Sequence, residues 1–310
     1  MANRADGNVH AIEFREAKAS QGDTARHVSE LFSLKERTII SEYTYCPFFV
    51  LMLTVSYTVT GANGFLGTAL AIAIMQSGSD VVCLDLALKP SATNWGDVEN
   101  AATMNGCQLT YYPLDITDEN AIVDTYAKFI PTLRYPVKGL VSCAGLSLNG
   151  PSTHFPASKF RKMMDINVTG NFSVAQATAR EFIRTNTSGS IVLVASMSGY
   201  GVNKGVDTAG YNSSKAAVHQ LTRSLAAEWG SRVGIPLIRV NSLSPGYIRT
   251  AATTEALDKP GMEAQWTGDN MLFRLSTVDE FRAPVIYMLG DGSSFMTGAD
   301  LRVDGGHCAW

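Results

Sequence analysis

In the stretch "YNSSK", Tyr211 and Lys215 stand four residues apart, a spacing that puts both on one face of a helix. A tyrosine whose pKa sits near its ordinary value of ~10 is a poor acid–base catalyst at neutral pH. An ammonium beside it, joined by a cationic ring, stabilises the phenolate. Lowering that pKa by about 3 units takes roughly 4 kcal/mol. A charge-assisted contact in a water-poor cleft supplies an energy of that order. Y-x-x-x-K alone is common on surface helices, so the pair means little without company.

Company comes from "TGANGFLG", Thr60 to Gly67, which follows an apolar run and opens a helical pattern. Glycines at 61, 64 and 67 let the backbone turn tightly and approach a pyrophosphate, whose charge meets amide N–H groups and the positive end of the helix dipole. Gly61, Asn63, Gly64, Phe65, Leu66 and Gly67 are the expected contacts. "VVCLDLA" then places Asp85, followed by Leu86, at the end of the next strand. A carboxylate there accepts hydrogen bonds from ribose hydroxyls and repels a 2′-phosphate. With no basic residue in the loop, nor after Asp85 before Lys89, NAD is favoured over NADP.

Elements of two kinds must position these groups. From Val55 onward apolar runs ("VSYTVTG", "DVVCLDL", "QLTYYPLD", "KGLVSCAG", "GSIVLVAS", "IRVNSLSPG", "DLRVDGG") alternate with helical stretches near 64–77, 94–105, 118–132, 157–184, 209–230 and 277–290. Continuous apolar strands, rather than alternating ones, belong to a parallel sheet covered on both faces. The pattern predicts one doubly wound α/β domain over 34–310, behind a polar extension over 1–33.

These motifs, in this order from Thr60 to the C-terminus, resemble the short-chain dehydrogenase/reductase family. The resemblance implies a Rossmann-type domain and NAD(P)-dependent chemistry on CH–OH groups. "GLVSCAG" is similar to the family's N-N-A-G strand end, with Ser142 and Cys143 in place of asparagines; it implies that Cys143, Ala144 and Gly145 line the cofactor and that an internal hydrogen-bond network is weakened. "PLDIT" supplies Asp115 and Ile116 beside the adenine. "MDINVTGNF" supplies Asn167, which in the family helps hold a water linking the lysine to solvent. "SPGYIRT" implies Pro245, Gly246, Ile248 and Thr250 at the nicotinamide. "VLVASMSGY" supplies the active-site serine. Ser198 has the commoner spacing to Tyr211, but Ser196 begins the S-x-x-G pattern and is the one taken here, with two extra residues then falling in "NKGVDTAG". The glycine spacing is that of the family's extended subclass, while everything downstream is similar to the single-domain one.

The implied catalytic set is Ser196, Tyr211, Lys215 and Asn167, with Tyr211 and Lys215 also touching the cofactor. The "ASMSG…YNSSK" arrangement is similar to the family's sugar-alcohol branch (mannitol 2-dehydrogenase, sorbose reductase, arabinitol dehydrogenase). A polyol/ketose pair is the first substrate reading. A ketone of specialised metabolism is the second, and a catalytically weak NAD-binding regulator is the rival from another class. The segment 251–273 is expected to cover the substrate, and assembly as a homodimer or homotetramer is implied by the family.

Composition trims the alternatives. With 45% hydrophobic and 17% charged residues the chain is globular, and a net charge of −3 offers no basic field for nucleic acid or anionic lipid. Cys46, Cys83, Cys107, Cys143 and Cys308 form no C-x-x-C pair and read as free thiols in a reducing, cytoplasmic setting. The five histidines lack metal-ligand spacing, so no metal is expected. The polar N-terminus has no apolar core of a secretory signal.

The apolar run from Pro47 to Val59 is the anomaly. At about 13 residues it falls short of the roughly 20 that span a bilayer, so a membrane anchor is not expected. "LKERTII" already reads as the lead into an opening strand, yet the glycine loop comes later. Long loops inside a compact βα unit are suspect. Ser41-Glu42-Tyr43 can be encoded with a splice donor and Thr58-Val59 with an acceptor, so 41–59 reads as a translated intron. In-frame excision would give "KERTIIITGANGFLG". The alternative is a true insertion, with the strand falling just before Thr60. A peptide across Ser41–Val59 in active native protein would sink the intron reading.

Overall fold

The computed structural model describes residues 27–35 and 55–310, and the architecture is that of these residues. Most of the polar extension and the segment 36–54 lie outside them, and with them most of the span behind the intron and insertion readings. The chain runs α1 (Val28–Leu31), β1 (Ser56–Thr60), α2 (Phe65–Gln76), β2 (Asp80–Asp85), α3 (Ala92–Asn105), β3 (Leu109–Pro113), α4 (Glu119–Phe129) and β4 (Val137–Ser142). It continues through α5 (Ala157–Met164), α6 (Asn171–Arg184), β5 (Gly189–Val194), α7 (Ala209–Ser231) and β6 (Ile238–Pro245). Then come α8 (Ala251–Leu257), α9 (Met262–Gly268), α10 (Arg282–Leu289) and β7 (Asp300–Val303).

The strands form one parallel sheet in the order β3-β2-β1-β4-β5-β6-β7. The order reverses beside β1, so the carboxyl ends of β1 and β4 diverge into a crevice. Side chains alternate across the sheet, as a period of two requires. Tyr57, Val59, Cys83, Val141 and Val192 join a core with α2 and α10, whereas Leu84, Leu140, Ile191 and Val240 join another with α4, α6 and α7. Burial on both faces is why the strands read as unbroken apolar runs.

Leu34 is fully buried in the first of these cores; its N–H donates to the Ser77 carbonyl, and the Ser79 hydroxyl donates to its carbonyl. Val55 accepts from the Asp80 N–H. Leu34 and Val55 thus both bond to the same corner, 77–80. Phe32 packs against Tyr287 at 6.1 Å between ring centroids, so the end of the extension docks on α10. One element departs from expectation. The stretch read as a single helix near 157–184 is broken by a π-turn, Asp165–Gly170, between α5 and α6. Such turns leave carbonyls off the regular ladder and recur at functional sites.

Candidate active site

At the end of β1 the chain turns through Gly61 at φ +64°, a conformation that side chains disfavour. A Cβ on Gly61 would lie 2.8 Å from the Ala144 nitrogen, and one on Gly67 would lie 2.1 Å from the Gly61 carbonyl oxygen. Both glycines are therefore demanded by close backbone approach. Gly64 caps α2 with no side-chain cap, which leaves the amides at Phe65 and Leu66 to face the crevice end of the helix. Asn63 links the loop to the segment after β2: its N–H donates to Asp85 Oδ2 at 3.0 Å, and its Oδ1 accepts from the Ser91 N–H at 2.7 Å. Asp85 Oδ1 accepts from the Ala87 N–H at 3.1 Å, so the carboxylate is fixed beside the loop, with the exposed Leu86 next to it.

The other expected cofactor positions lie at or just after the carboxyl ends of β3, β4 and β6. Asp115 Oδ1 is engaged by Thr117, through its N–H at 2.9 Å and its hydroxyl at 2.7 Å. Ile116 packs so closely that a Cβ on Gly170 would meet its side chain at 2.7 Å. Cys143 and Ala144 donate their N–H groups to the Thr60 carbonyl and hydroxyl. Burial pushes the Cys143 thiol up to about 12, opposed by the Lys215 charge. Pro245 ends β6, and a Cβ on Gly246 would stand 2.7 Å from the Asp304 Cα. Ile248 bridges to Ser276, and Thr250 caps α8 in a reciprocal arrangement with Thr253, so its hydroxyl already has an intrahelical partner.

Ser196 follows β5 and caps a short turn, its Oγ accepting from the Ser198 N–H at 3.1 Å. Tyr211 lies in the first turn of α7 and Lys215 one turn on, its Nζ 5.6 Å from the tyrosine ring centroid. Lys215 Nζ donates to the Val194 carbonyl at 2.8 Å. Burial raises the Tyr211 pKa, and a hydrogen bond with Ser196 opposes the rise. Burial also holds Lys215 down to about 8. In the folded chain desolvation therefore dominates at Tyr211 and raises its pKa, opposite to the direction expected from the pair alone. Of the two serines, it is Ser196 whose hydroxyl opposes the rise in the Tyr211 pKa.

Asn167 occupies the π-turn. Its Nδ2 donates to the Leu146 carbonyl at 2.8 Å and to Ser214 Oγ at 2.9 Å, and its Oδ1 accepts from the Leu146 N–H at 2.7 Å. A Cβ on Gly145 would lie 3.4 Å from Asn167 Oδ1 and 3.5 Å from Lys215 Nζ, which places all three residues together. Sequence reasoning missed Asn171, which ties this turn to β4, although its spacing of four from Asn167 was visible. The segment 251–273 is two short helices held by Trp266, stacked on Tyr247 at 4.0 Å, and by a Lys204–Asp269 ion pair of 3.0 Å. A cavity of about 350 Å³ beside the first turn of α7 is lined by Leu148, Phe155, Phe160, Arg161, Asp207 and Gly210 among others. No group of three or more His, Cys, Asp or Glu that could hold a metal occurs among the described residues, nor does a helix long and apolar enough to cross a membrane.

The sequence model of the family described as Enoyl-(Acyl carrier protein) reductase matches residues 61–307. The short chain dehydrogenases/reductase notP′ of Aspergillus versicolor is 71% identical over 310 residues, covering 100% of both chains. The D-arabinitol 2-dehydrogenase (ribulose-forming) of Candida tropicalis is 33% identical over 262 residues, covering 81% of this chain and 92% of the relative. The crystal structure of gox2181 superposes with a TM-score of 0.76 at 32% identity, covering 84% of this chain and 97% of that one.

Proposed function

This chain belongs to the short-chain dehydrogenase/reductase family of oxidoreductases, and we propose that it transfers a hydride between NAD(H) and a secondary alcohol or ketone, a polyol/ketose pair. The observation that carries the reading is the meeting of Ser196, Tyr211 and Lys215 at the crevice that the glycine loop and Asp85 open onto. The crevice fits a dinucleotide: the space that Cβ atoms at 61 and 67 would fill is left to backbone, and the amino end of α2 is uncapped. Gly64, Phe65 and Leu66 would hold the pyrophosphate, Asp85 the adenosine ribose, and Asp115 and Ile116 the adenine. Pro245, Gly246, Ile248 and Thr250 would hold the nicotinamide, with Cys143, Ala144 and Gly145 along the crevice floor. NAD(H), when bound, supplies the hydride acceptor or donor and, oxidised, a positive ring whose charge favours the phenolate.

In the oxidation direction Tyr211, ionised, takes the substrate hydroxyl proton. Ser196 donates a hydrogen bond to the oxygen as it becomes a carbonyl. Lys215, charged, steadies the phenolate and binds ribose hydroxyls. Asn167 supports return of the proton to solvent. Preference for NAD rests on the fixed Asp85 carboxylate, where a 2′-phosphate would meet like charge. The polyol assignment draws on the arabinitol dehydrogenase relative.

A second reading, a ketoreductase of specialised metabolism, is favoured by the cavity at the start of α7, whose Leu148, Phe155 and Phe160 suit an apolar body better than a chain of hydroxyls. Both readings are tested with the full chain by following NADH and NADPH absorbance over a panel of ketoses, polyols and bulky apolar ketones. Turnover of ketoses with NADH supports the first. Turnover confined to apolar ketones replaces it with the second, and faster reaction with NADPH at equal concentration overturns the cofactor assignment.

A further inference from the structure

Asn171 is 2% exposed and stands where three elements meet. Its Oδ1 accepts from the Ser142 hydroxyl at 2.5 Å, at the end of β4. Its Nδ2 lies within hydrogen-bond distance of three carbonyls: Asn167 at 3.0 Å, Ala144 at 3.1 Å and Ile166 at 3.1 Å. In a regular helix the Asn167 carbonyl would accept from the backbone N–H of residue 171. Here that N–H goes to Val168, and the side chain of the same residue reaches the Asn167 carbonyl instead. Behind Ser142 the chain of contacts continues to Thr60, whose hydroxyl is 3.2 Å away and accepts from the Ala144 N–H. One amide thus joins the strand that starts the glycine loop, the loop after β4, and the π-turn that carries Asn167.

Resting on the proton-transfer roles proposed above, we infer that Asn171 is the positioning residue of the catalytic cleft's proton-exchange end. It touches none of the reacting groups. By holding the π-turn open against residues 142–144 it fixes where Asn167 meets Leu146 and where Gly145 lies against Lys215. A buried amide with each of its polar atoms engaged holds one geometry, because any alternative leaves a donor or acceptor unpaired away from water. The weakened network expected from serine at 142 is accordingly rebuilt from the helix side.

The test uses the full chain with Asn171→Ala, Ser142→Ala, and Asn171→Ala combined with Ser142→Asn, which returns an amide to the vacated space from the strand. Misplacement of catalytic groups by an ångström costs up to about 100-fold, so Asn171→Ala should lower kcat by about tenfold or more with KM for ketose and NADH within about twofold. Ser142→Ala should show a smaller loss, and the combined variant should recover most of kcat. Hydrogen exchange gives a readout independent of turnover: peptides covering 143–148 and 165–171 should exchange faster in Asn171→Ala, with the 61–67 loop unchanged. Wild-type kcat in Asn171→Ala overturns the inference, as does a loss that the combined variant fails to restore. If the wild-type chain turns over no substrate, the functional reading fails and exchange alone decides. Unchanged exchange at 143–148 then rejects the positioning role, and faster exchange there retains it. Should Asn171→Ala fail to fold, Ser142→Ala carries both arms: a lowered kcat with faster exchange at 143–148 supports the inference, and wild-type kcat or unchanged exchange there overturns it.

Discussion

The β1–α2 side of the cleft and the α5–α7 side meet at Ala144 and are built by different physical means. On the first side glycines act through absent atoms, since Gly61 and Gly67 allow backbones to approach where a Cβ would collide. On the second, Ser142, Asn167, Asn171, Ser214 and Lys215 are all buried polar side chains, each engaged in a hydrogen bond. Steric cradles are local and tolerate change away from the glycines themselves. Buried polar networks extend through several elements, and a partner removed leaves another unsatisfied. Nucleotide binding should therefore fail one position at a time, whereas catalysis should fail in groups.

The largest separation of the two sides is expected from Tyr211→Phe, which keeps the ring and removes the hydroxyl proposed as the acid–base group. Turnover should fall ~100-fold or more with little change in NADH affinity, measured by steady-state rates and by fluorescence titration. Ser196→Ala should be severely impaired and Ser198→Ala mild, because Ser196 is the serine whose hydroxyl opposes the rise in the Tyr211 pKa. Activity surviving in Tyr211→Phe would move proton transfer to another group.

Gly61→Ala attacks the opposite side. Placing a side chain at φ +64° against the Ala144 nitrogen stores strain of about 1–3 kcal/mol, so NADH binding should weaken by about tenfold. At saturating NADH, kcat should stay within about twofold, since the catalytic side chains are not touched. Equal losses in binding and in saturated turnover would show that the two sides are one unit.

A smaller and more selective effect is expected from Asp85→Ser with Leu86→Arg. Removing the carboxylate and adding a phosphate partner should shift the NADPH/NADH ratio of kcat/KM by about tenfold toward NADPH. Competing rates at equal cofactor concentration measure it, and an unchanged ratio would detach cofactor choice from the end of β2.

The smallest effect concerns stability. Burial lowers the Lys215 pKa from 10.5 to about 8, so the unfolded chain holds this proton more tightly than the folded one. The charged lysine therefore opposes folding below about 8, and the opposition fades as pH rises through 8 toward 10.5. Lys215→Met should gain about 1–2 kcal/mol at pH 7 after losing the bond to Val194, seen as a higher Tm. The gain should vanish by about pH 10, and a gain independent of pH would refute the buried-charge account.

Much of this was legible from residues alone, and the contrast between the two sides of the cleft explains which parts. Glycine spacing, the acid after β2 and Y-x-x-x-K are short-range patterns whose geometry is fixed by backbone sterics or by one helical turn, so Gly61, Gly67, Asp85, Tyr211 and Lys215 could be assigned places in advance. The apolar runs fixed the strands for the same reason: a strand buried on both faces has no polar positions to spare. The joining of Ser142 to Asn171, residues on different elements with the loop 143–156, α5 and the π-turn between them, leaves no periodic trace. Nor does a π-turn inside an otherwise regular helical pattern, since adding one residue to a turn changes the carbonyl partners without changing composition.

Asp115 and Thr250 draw the same boundary. Their positions followed from sequence motifs, but the partners their side chains take, Thr117 and Thr253, depend on local turns that only the folded backbone sets. The Tyr211 ionisation is the sharpest case. Sequence determined that an ammonium stands one helical turn away. Tertiary structure decided how much water both groups lose and that Lys215 spends a hydrogen bond on Val194, because desolvation is a property of everything packed around a group and not of its neighbours in the chain.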